Sequence, residues 1–77
     1  MSAKEMFEKL NYFQSSEDFE DELVYNLKSE DVDSYRYISF HKIFKYIEVD
    51  DWTSNFQLSV QELQAINKQI EELGWNK

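Results

Sequence analysis

Leu63, Ile66, Ile70 and Leu73 recur at 3-4-3 spacing, which is the single apolar stripe of an amphipathic helix. Ser59-Val60-Gln61-Glu62 stands just before that stripe as a capping box. The Ser59 hydroxyl can accept from the Glu62 backbone N–H while the Glu62 carboxylate reaches back to Ser59. Gly74 follows the last apolar position as a left-handed terminator. Trp75 comes next, where a Schellman motif folds it back over Ile70. The pattern predicts a helix over Val60–Leu73. The start of the chain repeats this design in miniature. Ser2-Ala3-Lys4-Glu5 is a second capping box, and Ala3, Met6, Phe7 and Leu10 share one face, predicting a helix over Ala3–Leu10. Two turns are unstable alone, so this helix must dock on something.

Between the two helices the period changes from about 3.6 to 2. Asp21–Lys28 carries Leu23, Tyr25 and Leu27 in alternation, the mark of a half-buried strand. Ser34–Phe40 is rich in aromatic and β-branched residues, with Arg36, Ile38 and Phe40 on one face and Tyr35, Tyr37 and Ser39 on the other. Ile43–Val49 reads as a third strand, whose start the pattern leaves open by two or three residues, and Ser54–Leu58 as a short fourth. Ser29–Asp33 is a turn, because Asp and Ser hydrogen-bond their own backbone. The link at His41-Lys42 is the weakest part, since neither residue suits a two-residue hairpin turn. With one Gly and no Pro in the chain, positive-φ loop positions are expected at Asn, Asp or His. Together these elements predict one α+β domain spanning residues 1–77. Its antiparallel sheet of three to four strands carries an N-terminal and a C-terminal helix on one face, in the order α-β-β-β-(β)-α.

Composition narrows the class. Apolar residues make up 42% and aromatics 17%, too many for a disordered chain, and the aromatics are expected to form the core. Cysteine is absent, which removes disulfides and thiolate chemistry. No 18-residue apolar run exists, and MSAKEMFEKL has charges where a signal peptide needs an apolar stretch. The expectation is a soluble, cytoplasmic protein without membrane contact. Between Glu17 and Asp51 stand eleven acids against four bases, −7 of the chain's formal −8. A field of that sign repels phosphates, so direct nucleic-acid binding is not expected.

Catalytic chemistry is hard to place. One glycine cannot make a phosphate loop, and His41, the single histidine, has no second His to share a metal. Beside Lys42 it reads as a solvated strand-end residue. Glu30-Asp31-Val32-Asp33 resembles the start of a calcium loop, but Tyr35 and Arg36 stand where a further ligand and a glycine are required. A chain this short is expected to leave no room beside its core for a substrate cleft of about 300 Å³. Neither an enzyme nor a cofactor or metal site is expected.

What remains is surface. Asp18, Glu20 and Glu22 alternate, as do Asp31 and Asp33, and Glu48 and Asp50. In an extended chain alternate residues point the same way, roughly 6.6–6.8 Å apart. Carboxylates at that pitch can imitate phosphates to a protein whose Lys and Arg side chains grip nucleic acid. An acidic surface serving only solubility is the plain alternative. Trp52, in the loop DDWTSN, is a further candidate anchor for a partner. The polar outer face of the last helix (Gln61, Gln64, Asn67, Lys68, Glu71) would be cheap to cover.

The two ends also carry a resemblance. AKEMFEKLNY at residues 3–12 and ELQAINKQIEELGW at 62–75 resemble a family of small phage- and prophage-encoded proteins of low-GC Gram-positive bacteria, a family with no assigned activity. Its pattern opens Lys-Glu-Met-Phe-Glu-x-Leu-Gly-Tyr and closes Glu-Leu-x-Ala-Ile-x-Lys-Gln-x-x-Glu-Leu-Gly-Trp. Asn11 stands where the family has Gly, which implies the same left-handed turn made by Asn. The central segment matches only in texture, through Ile38-Ser39-Phe40. The resemblance implies a phage accessory protein of the bacterial cytoplasm and supplies no binding or catalytic residues. The leading expectation is therefore a non-enzymatic protein that binds a host or phage protein. Its sharper form is an acidic DNA mimic inhibiting a restriction, CRISPR or transcription protein. The alternative is an assembly protein forming a homo-oligomer through exposed aromatics.

Overall fold

Ser2 caps the first helix with both halves of its box. The Glu5 N–H donates to Ser2 Oγ at 3.2 Å and the Ser2 N–H donates to Glu5 Oε1 at 3.3 Å. Helix α1 runs Ala3–Lys9 and ends at Leu10, one residue short of the expected boundary. The computed structural model describes residues 1–15, 21–29, 34–53 and 57–75, and all that follows concerns those. Asn11 then takes φ 73°, the left-handed turn implied at that position, and turns the chain into strand β1, Tyr12–Gln14. Strands β2 (Glu22–Leu27), β3 (Arg36–His41) and β4 (Tyr46–Asp51) follow, and helix α2 (Val60–Leu73) closes the order.

The sheet is an antiparallel meander, β1-β2-β3-β4. Tyr25 lies opposite Ile38, and Ile38 opposite Val49, so one face carries Leu23, Tyr25, Ile38, Phe40, Ile47 and Val49. Both helices cover that face. Phe7 of α1 and Ala65 and Ile66 of α2 join Tyr12, Tyr25, Ile38 and Phe40 in one buried cluster. The Phe7 ring stacks on Tyr25 at 4.1 Å between centroids and meets Tyr12 and Phe40 edge-on. This is the expected α+β arrangement, but the aromatics divide: Phe7, Tyr12, Tyr25 and Phe40 form the core, while Phe13, Tyr35, Phe44, Tyr46 and Trp52 are exposed.

Three local expectations change. The fourth strand is Tyr12–Gln14. Residues 54–56 lie outside the described residues, and Gln57 and Leu58 are in no strand. Strand β4 begins three residues after Ile43, at the late end of the start its sequence leaves open, because Lys42–Lys45 is spent on the hairpin loop. That loop closes with the Lys45 N–H on the His41 carbonyl at 2.9 Å and with Lys45 at φ 56°. A lysine thus takes the positive-φ position that Asn, Asp or His was expected to fill. Ile43 and Phe44, read as strand, sit at the hairpin tip, exposed.

Helix α2 has its expected bounds and both ends form as read. Ser59 Oγ accepts from the Glu62 N–H at 3.0 Å. Gly74 adopts φ 76°, with its N–H on the Glu71 carbonyl and the Trp75 N–H on the Ile70 carbonyl, the paired bonds of a Schellman motif. Trp75 folds back to within 6.3 Å of the Phe40 ring. The buried face is rotated from the apolar stripe, however. Ala65, Ile66 and Gln69 are buried while Leu63 is exposed. Two polar residues pull the helix round: Glu62 meets Tyr12 and Arg36, and Gln69 accepts from the Tyr25 hydroxyl at 2.7 Å.

Candidate functional site

Side chains alternate across a strand, so the residues between the core positions form the opposite face of the sheet. Glu22, Val24 and Asn26 of β2, Tyr37, Ser39 and His41 of β3, and Tyr46, Glu48 and Asp50 of β4 share it, with Phe13 of β1 beside Asn26. Neither helix covers this face. Cross-strand neighbours fix its geometry: Asn26, Tyr37 and Asp50 form one row, Val24, Ser39 and Glu48 the next, and Glu22, His41 and Tyr46 the third.

Three of the acidic candidates, Glu22, Glu48 and Asp50, therefore meet on one surface. Tyr37 senses them together. Its phenol is raised above the ordinary range, first by partial burial and then by the negative charges of Glu48 and Asp50, with Glu22 adding to them. Trp52 extends the alternation one residue past β4. Its N–H donates to the Tyr35 carbonyl at 3.0 Å, and its side chain is 59% exposed. Tyr35, Phe13 and Tyr46 are also exposed, so aromatic rings bracket the carboxylates. Lys28, just past β2, and Lys42 and Lys45 in the hairpin loop stand at the ends of this surface. Asp18, Glu20, Asp31 and Asp33 lie outside the described residues.

His41 is not the solvated residue expected. Its ring stacks on Tyr46 at 4.7 Å and 15°, its side chain is 17% exposed, and Nε2 lies 3.6 Å from Glu22 Oε1. Nδ1 is buried without a hydrogen-bond partner. Pairing with Tyr46 across the hairpin produces this, because the two rings lie side by side at the end of the sheet. Among the described residues no group of three His, Asp or Glu side chains could hold a metal ion.

A second cluster lies on the covered face, and the sequence reading missed it. Arg36 Nη1 lies 2.6 Å from Asp51 Oδ2. Its Nε lies 2.9 Å from both Glu62 Oε2 and the Tyr12 hydroxyl oxygen, and Nη2 donates to the Gln57 carbonyl. The Tyr12 hydroxyl donates to the same Glu62 oxygen at 2.6 Å. Burial would push the Glu62 carboxyl up, but the Ser59 backbone N–H, Tyr12 and Arg36 outweigh it and hold it below the ordinary range. For Tyr12 burial dominates, and with Glu62 beside it the hydroxyl is pushed far above the ordinary phenol range. The available signal was Arg36 sharing a face with Ile38 and Phe40: an arginine at a core position needs carboxylate partners.

Leu10, Tyr12, Leu27, Arg36, Ser59 and Glu62 line an open depression of about 290 Å³ above this cluster. The polar groups in it are turned on one another: Arg36, Tyr12 and Glu62 satisfy each other and tie the start of α2 to the sheet. No helix is long and apolar enough to cross a membrane among the described residues. No protein-family model, no curated protein and no solved structure matches this chain.

Proposed function

We propose that this chain is a non-enzymatic protein-binding domain whose sheet face away from the helices engages a basic, nucleic-acid-binding protein by imitating phosphates. The observation that carries the reading is the convergence of Glu22, Glu48 and Asp50 on the one sheet face that no helix covers, with Trp52 exposed at its margin. Glu48 is exposed there and Glu22 and Asp50 are half-buried, and exposed aromatics supply the apolar contact that charges alone lack. The likeness of the two chain ends to phage and prophage proteins supports a setting in the cytoplasm of a Gram-positive host. There the partner would be a restriction, CRISPR or transcription protein.

Capture from such a host's lysate tests this. Wild type is compared with a variant carrying Glu20→Lys, Glu22→Lys, Glu48→Lys and Asp50→Lys, at low and high salt. The reading expects a nucleic-acid-binding protein held by wild type at low salt and released by salt or by the reversal. A partner held equally by both proteins would overturn it.

A second reading has its own support. Phe44 is 73% and Trp52 59% exposed, and both rings are available to a second copy of the chain. A homo-oligomer built through these rings would show a melting temperature that rises with protein concentration and depends little on salt.

A further inference from the structure

Strand β4 is the last in the sheet order, so among the described residues one of its sides borders no strand. Which backbone groups face that side follows from the pairing. The Trp52 N–H donates to Tyr35 O, directly opposite in the β3–β4 register, which makes this a hydrogen-bonded pair. Such pairs alternate along an antiparallel ladder. Asp50, Glu48 and Tyr46 therefore turn their N–H and C=O groups to β3, while Ile47 and Val49 turn theirs outward. Among the described residues no backbone bond from another segment covers Ile47 or Val49.

An exposed edge invites a further strand, and natural edges are guarded against the wrong one. Here the guard is specific. Antiparallel registers that would pair most of β4 with a second copy set Glu48 against Glu48, or Glu48 against Asp50, and like charges directly opposite destabilise a ladder. A segment carrying Lys or Arg at alternate positions meets the reverse situation. With Ile47 and Val49 hydrogen-bonded to it, Glu48 and Asp50 occupy the non-hydrogen-bonded positions, where opposed Cα atoms approach to about 4.5 Å. Its basic side chains would then lie against those two carboxylates, with Trp52 and Tyr46 flanking them.

We infer that the partner is held by strand addition: an extended segment with alternating basic residues joins the free edge of β4 as a fifth strand. This rests on the acidic-face reading and adds its mode of recognition. Backbone bonds from Ile47 and Val49 would supply the alignment, and Glu48 and Asp50 would choose the sequence.

The test uses the full chain and a synthetic peptide alternating Lys with Val, with a Glu-for-Lys peptide as control. Amide exchange followed by NMR is expected to slow by about tenfold or more at Ile47 and Val49 when the Lys peptide is added, and not with the control. Exchanging both charges, Glu48→Lys with Asp50→Lys, should reverse the preference between the two peptides. Val49→Pro removes one outward N–H without touching a β3 bond, and should weaken Lys-peptide binding by about tenfold if the variant folds. Binding that depends on Glu48 and Asp50 but leaves Ile47 and Val49 exchange unchanged would overturn strand addition and leave the acidic face standing. Loss of charge dependence altogether would overturn both.

Discussion

Arg36 and Asp51 stand directly opposite each other on β3 and β4, and Arg36 Nη1 lies 2.6 Å from Asp51 Oδ2. Both side chains are 11% exposed, so the pair is largely withdrawn from water. Glu62, on α2, shares the same guanidinium at 2.9 Å. One arginine thereby joins the two last strands to the start of the last helix.

Replacing Arg36 leaves two carboxylates together without their cation. Arg36→Met is expected to lower stability by roughly 3 kcal/mol, the lower end for breaking a buried pair, because some exposure remains. Urea denaturation measures it. Adding Asp51→Asn and Glu62→Gln to Arg36→Met should recover part of the loss, since no uncompensated charge is left.

Glu62 also sets an acid limit. Its carboxyl lies below the ordinary range when folded, where Ser59, Tyr12 and Arg36 favour the charged form. The unfolded chain takes up this proton first as pH falls, so the stabilisation is complete above the ordinary glutamate range and is lost as pH drops through the folded value. Stability followed from pH 6 to pH 3 should fall less steeply in Glu62→Gln than in wild type. Equal slopes would show that the carboxyl is not held down.

The Tyr25 hydroxyl and Gln69 Oε1 form a buried bond, 2.7 Å long, between the sheet and α2. Burial pushes the Tyr25 hydroxyl up to about 12, so it remains a donor throughout the neutral range. Tyr25→Phe keeps the stacked ring and strands the amide oxygen, a change expected to cost about 1–3 kcal/mol. Tyr25→Phe with Gln69→Leu should cost less than Tyr25→Phe alone, by thermal melting.

Trp52 is 59% exposed, and its truncation leaves no cavity in the core. Trp52→Ala should change stability by no more than about 0.5 kcal/mol. Partner binding should fall by about tenfold or more if the ring is an anchor. A variant that binds as well as wild type would remove Trp52 from the site.

Lys45 holds φ 56° and Gly74 φ 76°, both in the left-handed region. The first is strained for a side chain and the second is suited to its residue. Lys45→Gly is expected to be neutral or stabilising, and Gly74→Ala to cost about 1 kcal/mol despite open space around its Cα. Chemical denaturation of the two variants should move in these opposite directions.

The elements themselves were legible in the chain because their signals are local. Ser2 and Ser59 each stand three residues before a glutamate, Gly74 ends the long helix, and the alternation around Tyr25 and Ile38 needs only neighbouring side chains to be read. The three-residue strand Tyr12–Gln14 was missed because so few residues carry almost no alternation, and only its pairing with β2 makes it a strand. The start of β4 stayed open in the sequence because Ile43 and Phe44 have strand-like side chains, and only the pairing of Tyr46 with His41 across the hairpin fixes it. Sequence also put Tyr35, Tyr37 and Ser39 on one face of their strand and Arg36, Ile38 and Phe40 on the other. It could not say which face the helices would take, since that is decided by contacts between residues far apart in the chain. The convergence of Glu22 with Glu48 and Asp50, the burial of Arg36 between Asp51 and Glu62, and the rotation of α2 that exposes Leu63 and buries Gln69 all belong to that second class. Each depends on which distant groups meet once water is excluded, and a polar side chain at a core position finds its partners only there.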